Sequence, residues 1–315
     1  MRLAILDIGT NSLRFDLYRI ENSRTICLIH REKHRVELGE DLYKSGFLSS
    51  KAIDRTVKVL EQISTGPLLR QADRVVSLGT SALRDAKNRE LFLKKTARYS
   101  GVNVKVISGK EEAELILRGI LLEESAVDNS LGFIDIGGGS TEIGFACRGK
   151  IKSLASFQLG SLRLAEIFGK KENSLTFGAP VSALKDHIDK ELTSQKLQIP
   201  KDNFQFFGSS GTICCINSIL KKSGRLRDGK IRRKHVRELS EELGILKLNE
   251  IAKVPGVTKS RINQILPGTV LLEQIMTRLD IKELKYSKYS LRDGILIREL
   301  ENAAALQSKQ KRIAA

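Results

Sequence analysis

Leu3–Ile20 reads Leu-Ala-Ile-Leu-Asp-Ile-Gly-Thr-Asn-Ser-Leu-Arg-Phe-Asp-Leu-Tyr-Arg-Ile, and Gly132–Ala146 reads Gly-Phe-Ile-Asp-Ile-Gly-Gly-Gly-Ser-Thr-Glu-Ile-Gly-Phe-Ala. Each is an apolar run that reaches Asp-Ile-Gly, passes through small polar residues and turns apolar again. Leu13, Phe15 and Leu17 alternate with Arg14, Asp16 and Tyr18, which is the period of a strand. Each stretch therefore predicts a β-hairpin with a Gly-rich turn and a carboxylate at its mouth. Asp7 and Asp135 stand about one domain length apart. One such hairpin per domain implies two similar domains facing one cleft.

Working outward, Arg74–Leu78, Asn103–Ile107 and Gln205–Phe207 read as short strands. Helices are expected over Ala52–Ile63, Asn88–Tyr99 (capped by Asn88), Lys110–Leu122, Val181–Leu192, Gly211–Lys221, Lys259–Leu279 and Leu291–Leu306. Hairpins mixed with helices argue for an α/β fold with mixed sheets. The 315 residues suit two domains. With 41% hydrophobic residues the chain can bury real cores, which excludes global disorder. No apolar run approaches the ~20 residues of a membrane span, and Asp7 follows the N-terminus too soon for a signal peptide. Cys27, Cys147, Cys214 and Cys215 lack Cys-x-x-Cys spacing, so free thiols in a reducing cytoplasm are expected. Trp is absent and aromatics are 5%, which argues against stacking platforms for single-stranded nucleic acid.

A formal net charge of +17 favours polyanionic partners without choosing among them. The densest basic stretch, Lys221–Arg237, reads either as a solvated loop or as a guide for such a partner. The turns narrow the choice. Small residues let backbone N–H groups converge on an anion without Cβ clashes. Gly9-Thr10-Asn11-Ser12 and Gly137-Gly138-Gly139-Ser140-Thr141 offer such turns, and Gly208-Ser209-Ser210-Gly211-Thr212 sits where a strand runs into a helix N-terminus. One Gly-rich turn is usually only a turn. Three of them, two headed by Asp, in a basic chain point to phosphate. There is no Gly-x-x-x-x-Gly-Lys-Ser/Thr and no Gly-x-Gly-x-x-Gly after a strand, so neither a P-loop nor a dinucleotide cofactor is indicated.

Asp7 and Asp135 are candidate ligands for the hard cation that accompanies phosphate, with turn formation as the competing role. Glu142 joins them if strand parity turns it toward the turn. Ser108-Gly109-Lys110-Glu111 fits a capping box, which gives Glu111 a structural job. Glu112 is then left on the apolar stripe of Ile116 and Ile120, where ionisation has a cost and a raised pKa suits a general base. The competing role for Glu112 is to complement the helix dipole. Arg84, after Gly79-Thr80-Ser81-Ala82-Leu83, could fork onto a terminal phosphate or pair with a nearby acid. The scattered His30, His34, His187 and His235 show no Ser/His/Asp spacing.

These segments, in order and over nearly the whole chain, resemble the exopolyphosphatase / guanosine pentaphosphate phosphohydrolase family. The resemblance rests on 7–12, 79–86, 107–113, 134–142, Leu159-Gly160-Ser161-Leu162-Arg163-Leu164, 208–212, Leu266-Pro267-Gly268 and Ser290-Leu291-Arg292-Asp293-Gly294. It implies two actin-like (ribonuclease H-like) domains with mixed five-stranded-type sheets facing a central cleft, over 1–121 plus 294–315 and over 122–293. It implies hydrolysis of the terminal phosphoanhydride of inorganic polyphosphate or of guanosine pentaphosphate, with Mg²⁺ as cofactor and Mn²⁺ or a monovalent cation as further candidates. The family's catalytic glutamate falls on Glu112, its phosphate-binding arginine on Arg84, and its acidic residues near the metal on Asp135 and Glu142. A homodimer in the cytoplasm is the implied state. Thr10 stands where the family often has Ser, which keeps the hydroxyl. The chain resembles the short, two-domain form, so the long-chain grip of longer members is not implied.

Two other readings compete. Residues 248–266 fit a helix-turn-helix template, with Ala252, Gly256, Val257, Ile262 and Ile265 at its core and turn positions, which would suit a DNA-binding regulator. Pro255 just before the turn argues against it. An ATP-dependent kinase or chaperone of the same superfamily would share the two Asp-headed hairpins but does not account for 79–86 and 107–113.

Overall fold

A computed structural model describes residues 1–21, 25–123, 130–169, 180–195, 197–200 and 203–313, with the backbone alone over 306–313. The chain divides into two compact units, Met1–Gly119 with Leu291–Ala315, and Ile120–Ser290.

The first unit runs β1 (Arg2–Ile8), β2 (Ser12–Ile20), β3 (Ile26–Arg35), α1 (Leu42–Ser45), α2 (Ser50–Thr65), α3 (Pro67–Arg70), β4 (Arg74–Gly79), α4 (Ser81–Asp85), α5 (Arg89–Ser100), β5 (Lys105–Val106) and α6 (Gly109–Ile120). Its five-stranded sheet has the order β3-β2-β1-β4-β5. The β1–β2 pair is antiparallel and β1–β4–β5 is parallel. Central β1 is apolar at nearly every position because both of its faces are covered. Leu6 and Ile8 of β1, with Leu13, Phe15 and Leu17 of β2, join Ile53, Leu60 and Phe92 in one core.

The second unit runs β6 (Ser130–Ile136), β7 (Thr141–Cys147), β8 (Lys150–Phe157), α7 (Ser161–Phe168), α8 (Val181–Ser194), β9 (Gln205–Ser209), α9 (Ser210–Lys222), β10 (Lys230–Arg232), α10 (Arg233–Ile245), α11 (Leu248–Ile251), α12 (Ile265–Arg278) and β11 (Glu283–Tyr286). Its sheet has six strands, β10-β11-β9-β6-β7-β8. In each unit the first hairpin strand lies between its antiparallel partner and a parallel strand, so the sequence echo is an echo of topology. The core gathers Ile134, Phe145, Leu184, Ile216, Leu239 and Leu271.

The last helix, α13 (Leu291–Ile313), belongs to the first unit and packs on β1. Fully buried Asp16 takes hydrogen bonds from Arg292 (2.5 Å), from Arg31 (3.0 and 2.7 Å) and from Tyr18 (3.1 Å). Burial first, and Asp16 second, push the Tyr18 phenol up. Gly294 meets α6 backbone to backbone: a Cβ there would stand 1.7 Å from the Leu115 carbonyl oxygen.

Several sequence expectations change. Asn88 does not cap α5; its amide exchanges two hydrogen bonds of 2.9 Å with the backbone of Leu48. The capping box at α6 is half-formed: Ser108 Oγ accepts from Glu111 N (3.1 Å), while the Glu111 carboxylate turns to Lys105 and Arg298. The helix expected over 259–279 begins at Ile265, after a single 3-10 turn at Lys259–Arg261. The helix-turn-helix is therefore not built. Residues 248–266 hold a four-residue helix and that turn, and Ile251, Val254, Val257, Ile262 and Ile265 serve the core of the second unit. No helix among the described residues is long and apolar enough to cross a membrane.

Candidate active site

In the first unit the candidate residues sit at the C-terminal ends of β1, β4 and β5, the end of an open α/β sheet where ligands bind. The β1–β2 turn closes with Gly9 N donating to Ser12 O (3.0 Å). The carbonyls of Thr10 and Asn11 accept from Gly39 N (2.9 Å) and from Val36 N and Glu37 N (3.2 and 3.0 Å). In a trans peptide the next N–H points the opposite way, so the amides of Asn11 and Ser12 turn away from that segment. Asp7 is buried and faces Arg14, its cross-strand neighbour, at 3.5 Å.

Alongside, Thr80 N donates to Ile8 O (3.3 Å) and Ile107 N to Gly79 O (3.0 Å), which fixes α4 and α6 at the same sheet end. Glu112, in the first turn of α6, is 8% exposed. Arg84 Nη1 donates to Glu112 Oε2 (2.5 Å) and to Ile107 O (3.2 Å). The expected clamp and the expected base are thus brought together.

The second unit repeats the turn: Gly137 N donates to Ser140 O (2.9 Å). Here a helix N-terminus is aimed at the loop itself. Ser161 N bonds Gly137 O (3.0 Å), Leu162 N and Arg163 N bond Gly138 O (2.8 and 3.0 Å), and Arg163 Nε bonds Gly139 O (2.7 Å). With these three carbonyls held by α7, the N–H groups of Gly138, Gly139 and Ser140 point to the other side, as an anion cradle requires. Gly160 must lack a Cβ, which would stand 2.4 Å from Gly138 O.

Asp135 and Glu142 are cross-strand partners, 8% and 1% exposed. Ser209 lies opposite Asp135 on β9, and Ser156 opposite Glu142 on β8. This row of Ser156, Glu142, Asp135 and Ser209 is linked: Ser156 Oγ donates to Glu142 Oε1 (2.7 Å) and Ser209 Oγ to Asp135 Oδ2. Parity thus sets Glu142 beside Asp135. The donors are all oxygen, which fits a hard cation such as Mg²⁺ that takes one or two carboxylates and completes its shell with water and phosphate. Among the described residues no group of three or more His, Cys, Asp or Glu side chains could hold a metal ion.

The third turn starts α9, with Ser210 at φ +91°, a strained value for a side-chain-bearing residue. Three hydroxyls expected to meet phosphate are fully buried: that of Ser209, bonded to Asp135, and those of Thr141 and Thr212. Thr141 Oγ1 donates to Leu159 O (2.6 Å) and Thr212 Oγ1 to Ser161 Oγ (3.2 Å). Gly208 faces Ile213 and Leu284 in the core.

The sequence reading missed Arg163 and Arg261. Arg261 Nη1 donates to Thr212 Oγ1 (3.0 Å), Ser161 Oγ (3.3 Å) and Gln264 Oε1 (3.3 Å), tying the α9 turn to the α7 turn. Its guanidinium lies where a Cβ on Gly211 would be, 2.3 Å away. Gly211 beside Thr212 was visible, but an arginine fifty residues on carried no local signal.

A family model described as the Ppx/GppA phosphatase family matches residues 17–303. The chain belongs to that family. Among its relatives are a bifunctional 3-dehydroquinate synthase/phosphatase of Fusobacterium nucleatum, 28% identical over 87% of this chain and 43% of that one, and a guanosine-5'-triphosphate,3'-diphosphate pyrophosphatase of Photobacterium profundum, 27% identical over 93% and 58%. The chain thus spans about half the length of these two relatives. Exopolyphosphatase 1 of Mycobacterium bovis is 22% identical over 96% of this chain and 90% of its own. The crystal structure of a Cytophaga hutchinsonii exopolyphosphatase superposes with a TM-score of 0.81 at 23% identity, covering 96% of this chain and 98% of that one. Its likeness shows the fold, which in Ppx/GppA structures is actin-like.

Proposed function

We propose that the protein removes the terminal phosphate of inorganic polyphosphate by hydrolysing its phosphoanhydride bond, with guanosine pentaphosphate as a further substrate. The observation that carries this reading is the bond of half-buried Arg84 to buried Glu112 beside a turn whose amides face outward at one sheet end. Membership of a phosphatase family supports it.

In this reading a water oxygen attacks the terminal phosphorus in line and the bond to the bridging oxygen breaks. Glu112 takes the proton of the water. Arg84 holds Glu112 and presents the rest of its fork to the terminal phosphoryl oxygens. In the first unit the amides of Asn11 and Ser12 receive phosphate oxygens, and in the second unit those of Gly138, Gly139 and Ser140, with the α9 turn, do the same. Asp135 and Glu142 would hold Mg²⁺, which when bound supplies charge neutralisation for the leaving chain. Asp7 faces Arg14 and stays outside the metal set we propose. A cytoplasmic homodimer is the working state; light scattering of the purified protein tests the dimer.

The decisive measurement is orthophosphate release from short polyphosphate, long polyphosphate and guanosine pentaphosphate side by side, with and without Mg²⁺. Mg²⁺-dependent release from polyphosphate is expected. Release from none of the three would overturn the reading, and release from guanosine pentaphosphate alone would reassign the substrate.

A further inference from the structure

Each carboxylate of the Asp135–Glu142 pair is bonded by a hydroxyl on the strand outside it. Ser209 begins a turn already assigned to phosphate. Ser156 has no such role: it lies on β8, outside every Gly-rich turn. Its place is nonetheless fixed. Ser156 O accepts from Gln195 Nε2 (2.9 Å), Gln158 N, two residues on, donates to Glu191 Oε1 (3.3 Å), and Phe157 pairs with Thr141 in the ladder. From that anchored backbone the Ser156 hydroxyl meets the Glu142 carboxylate at 2.7 Å.

We infer that Ser156 is a positioning residue for the divalent cation, holding Glu142 in the rotamer that sets its carboxylate beside Asp135. A glutamate has three side-chain torsions to immobilise. A hydrogen bond to one of its oxygens removes that freedom before the ion arrives, as partners of metal ligands commonly do. The inference rests on the reading of Asp135 and Glu142 as cation ligands.

The test is Mn²⁺ binding to the full chain without substrate, followed by electron paramagnetic resonance of the free ion, on wild type and on Ser156→Ala, Ser156→Thr and Asp135→Asn. Circular dichroism checks that each variant is folded. Ser156→Ala is expected to weaken Mn²⁺ binding about tenfold, the lower end of the range for lost partners of metal ligands. Ser156→Thr, which keeps the hydroxyl, is expected to restore it, and Asp135→Asn to lose more than either. The saturating kcat of Ser156→Ala should approach that of wild type while its Mg²⁺ requirement rises. If Asp135→Asn weakens Mn²⁺ and Ser156→Ala binds as wild type does, the inference fails and the ligand reading stands. A folded threonine variant that binds as poorly as the alanine also defeats it. If wild type binds no Mn²⁺, or Asp135→Asn binds unchanged, the ligand reading falls and takes the inference with it.

Discussion

In the proposed reaction, Glu112 and Arg84 form the residue-scale unit on which turnover depends. Glu112→Gln keeps an oxygen that can accept from Arg84 yet cannot take a proton. Steady-state assays should show kcat reduced by ~10²–10⁴ with KM little changed. Its neighbour Glu111 serves stability. Partial burial pushes that carboxyl up, but hydrogen bonds from Lys105 and Arg298 outweigh burial and hold it below its usual value of 4.5. A lowered pKa contributes stability that is present above the unfolded value and lost as pH falls through the folded one. The melting temperature of wild type should therefore exceed that of Glu111→Gln at neutral pH, and the gap should close in acid below about pH 4.5. A gap that persists there would mean the pair contributes nothing specific to the ionised form. Arg84 and Glu112 were legible as separate candidates from spacing and resemblance. Their mutual bond was not, because 28 residues and a strand separate them.

At the scale of elements, the α7 N-terminus grips the carbonyls of the Gly137–Gly139 turn, and Gly160 makes room for that approach. Its φ of −149° suits any residue, so the constraint is steric. Gly160→Ala should cost about 1–3 kcal/mol in urea denaturation, as overpacking does, and lower turnover through the displaced turn. The junction of α13 with β2 is a second such point. Asp16→Asn leaves Arg31 and Arg292 around a neutral amide and should cost about 3 kcal/mol. An unchanged midpoint would assign the tie to packing alone. The two hairpins and most helices followed from periodicity. Strand β3 did not, because its half-buried face carries His30, Glu32 and His34 rather than apolar residues. The 248–266 segment misled for the converse reason: its apolar spacing, shared with a helix-turn-helix, is satisfied by irregular chain packed on the core. Gly256 at φ +105° supplies the turn there, with Ile219 backbone against it.

For the whole molecule the sequence shows a net charge of +17 and leaves its use open. In the basic stretch, Arg225 forks onto Glu242 (2.8 and 2.9 Å), Arg232 pairs with Asp228 (2.8 Å), Arg233 with Asp280 (3.1 Å) and Lys230 with Glu283. Those side chains fasten α10, β10 and β11 to their surroundings, which works against a simple polyanion guide. Lys221, Lys222, Arg227 and Lys234 show no ion pair among the described residues. Charge that remains exposed is screened by salt over about 8 Å at physiological ionic strength. Raising salt should therefore raise KM for long polyphosphate while leaving kcat within about twofold. A KM indifferent to salt would remove long-range attraction from substrate capture.

The return of α13 to the first unit, sealed at Asp16 and Gly294, also orders events in time. A ribosome delivers β1–β5 first, yet the helix that covers β1 emerges only after every strand of the second unit. All strands of the second unit precede α13 in the chain, whereas β1 of the first unit lacks this cover until α13 has been made.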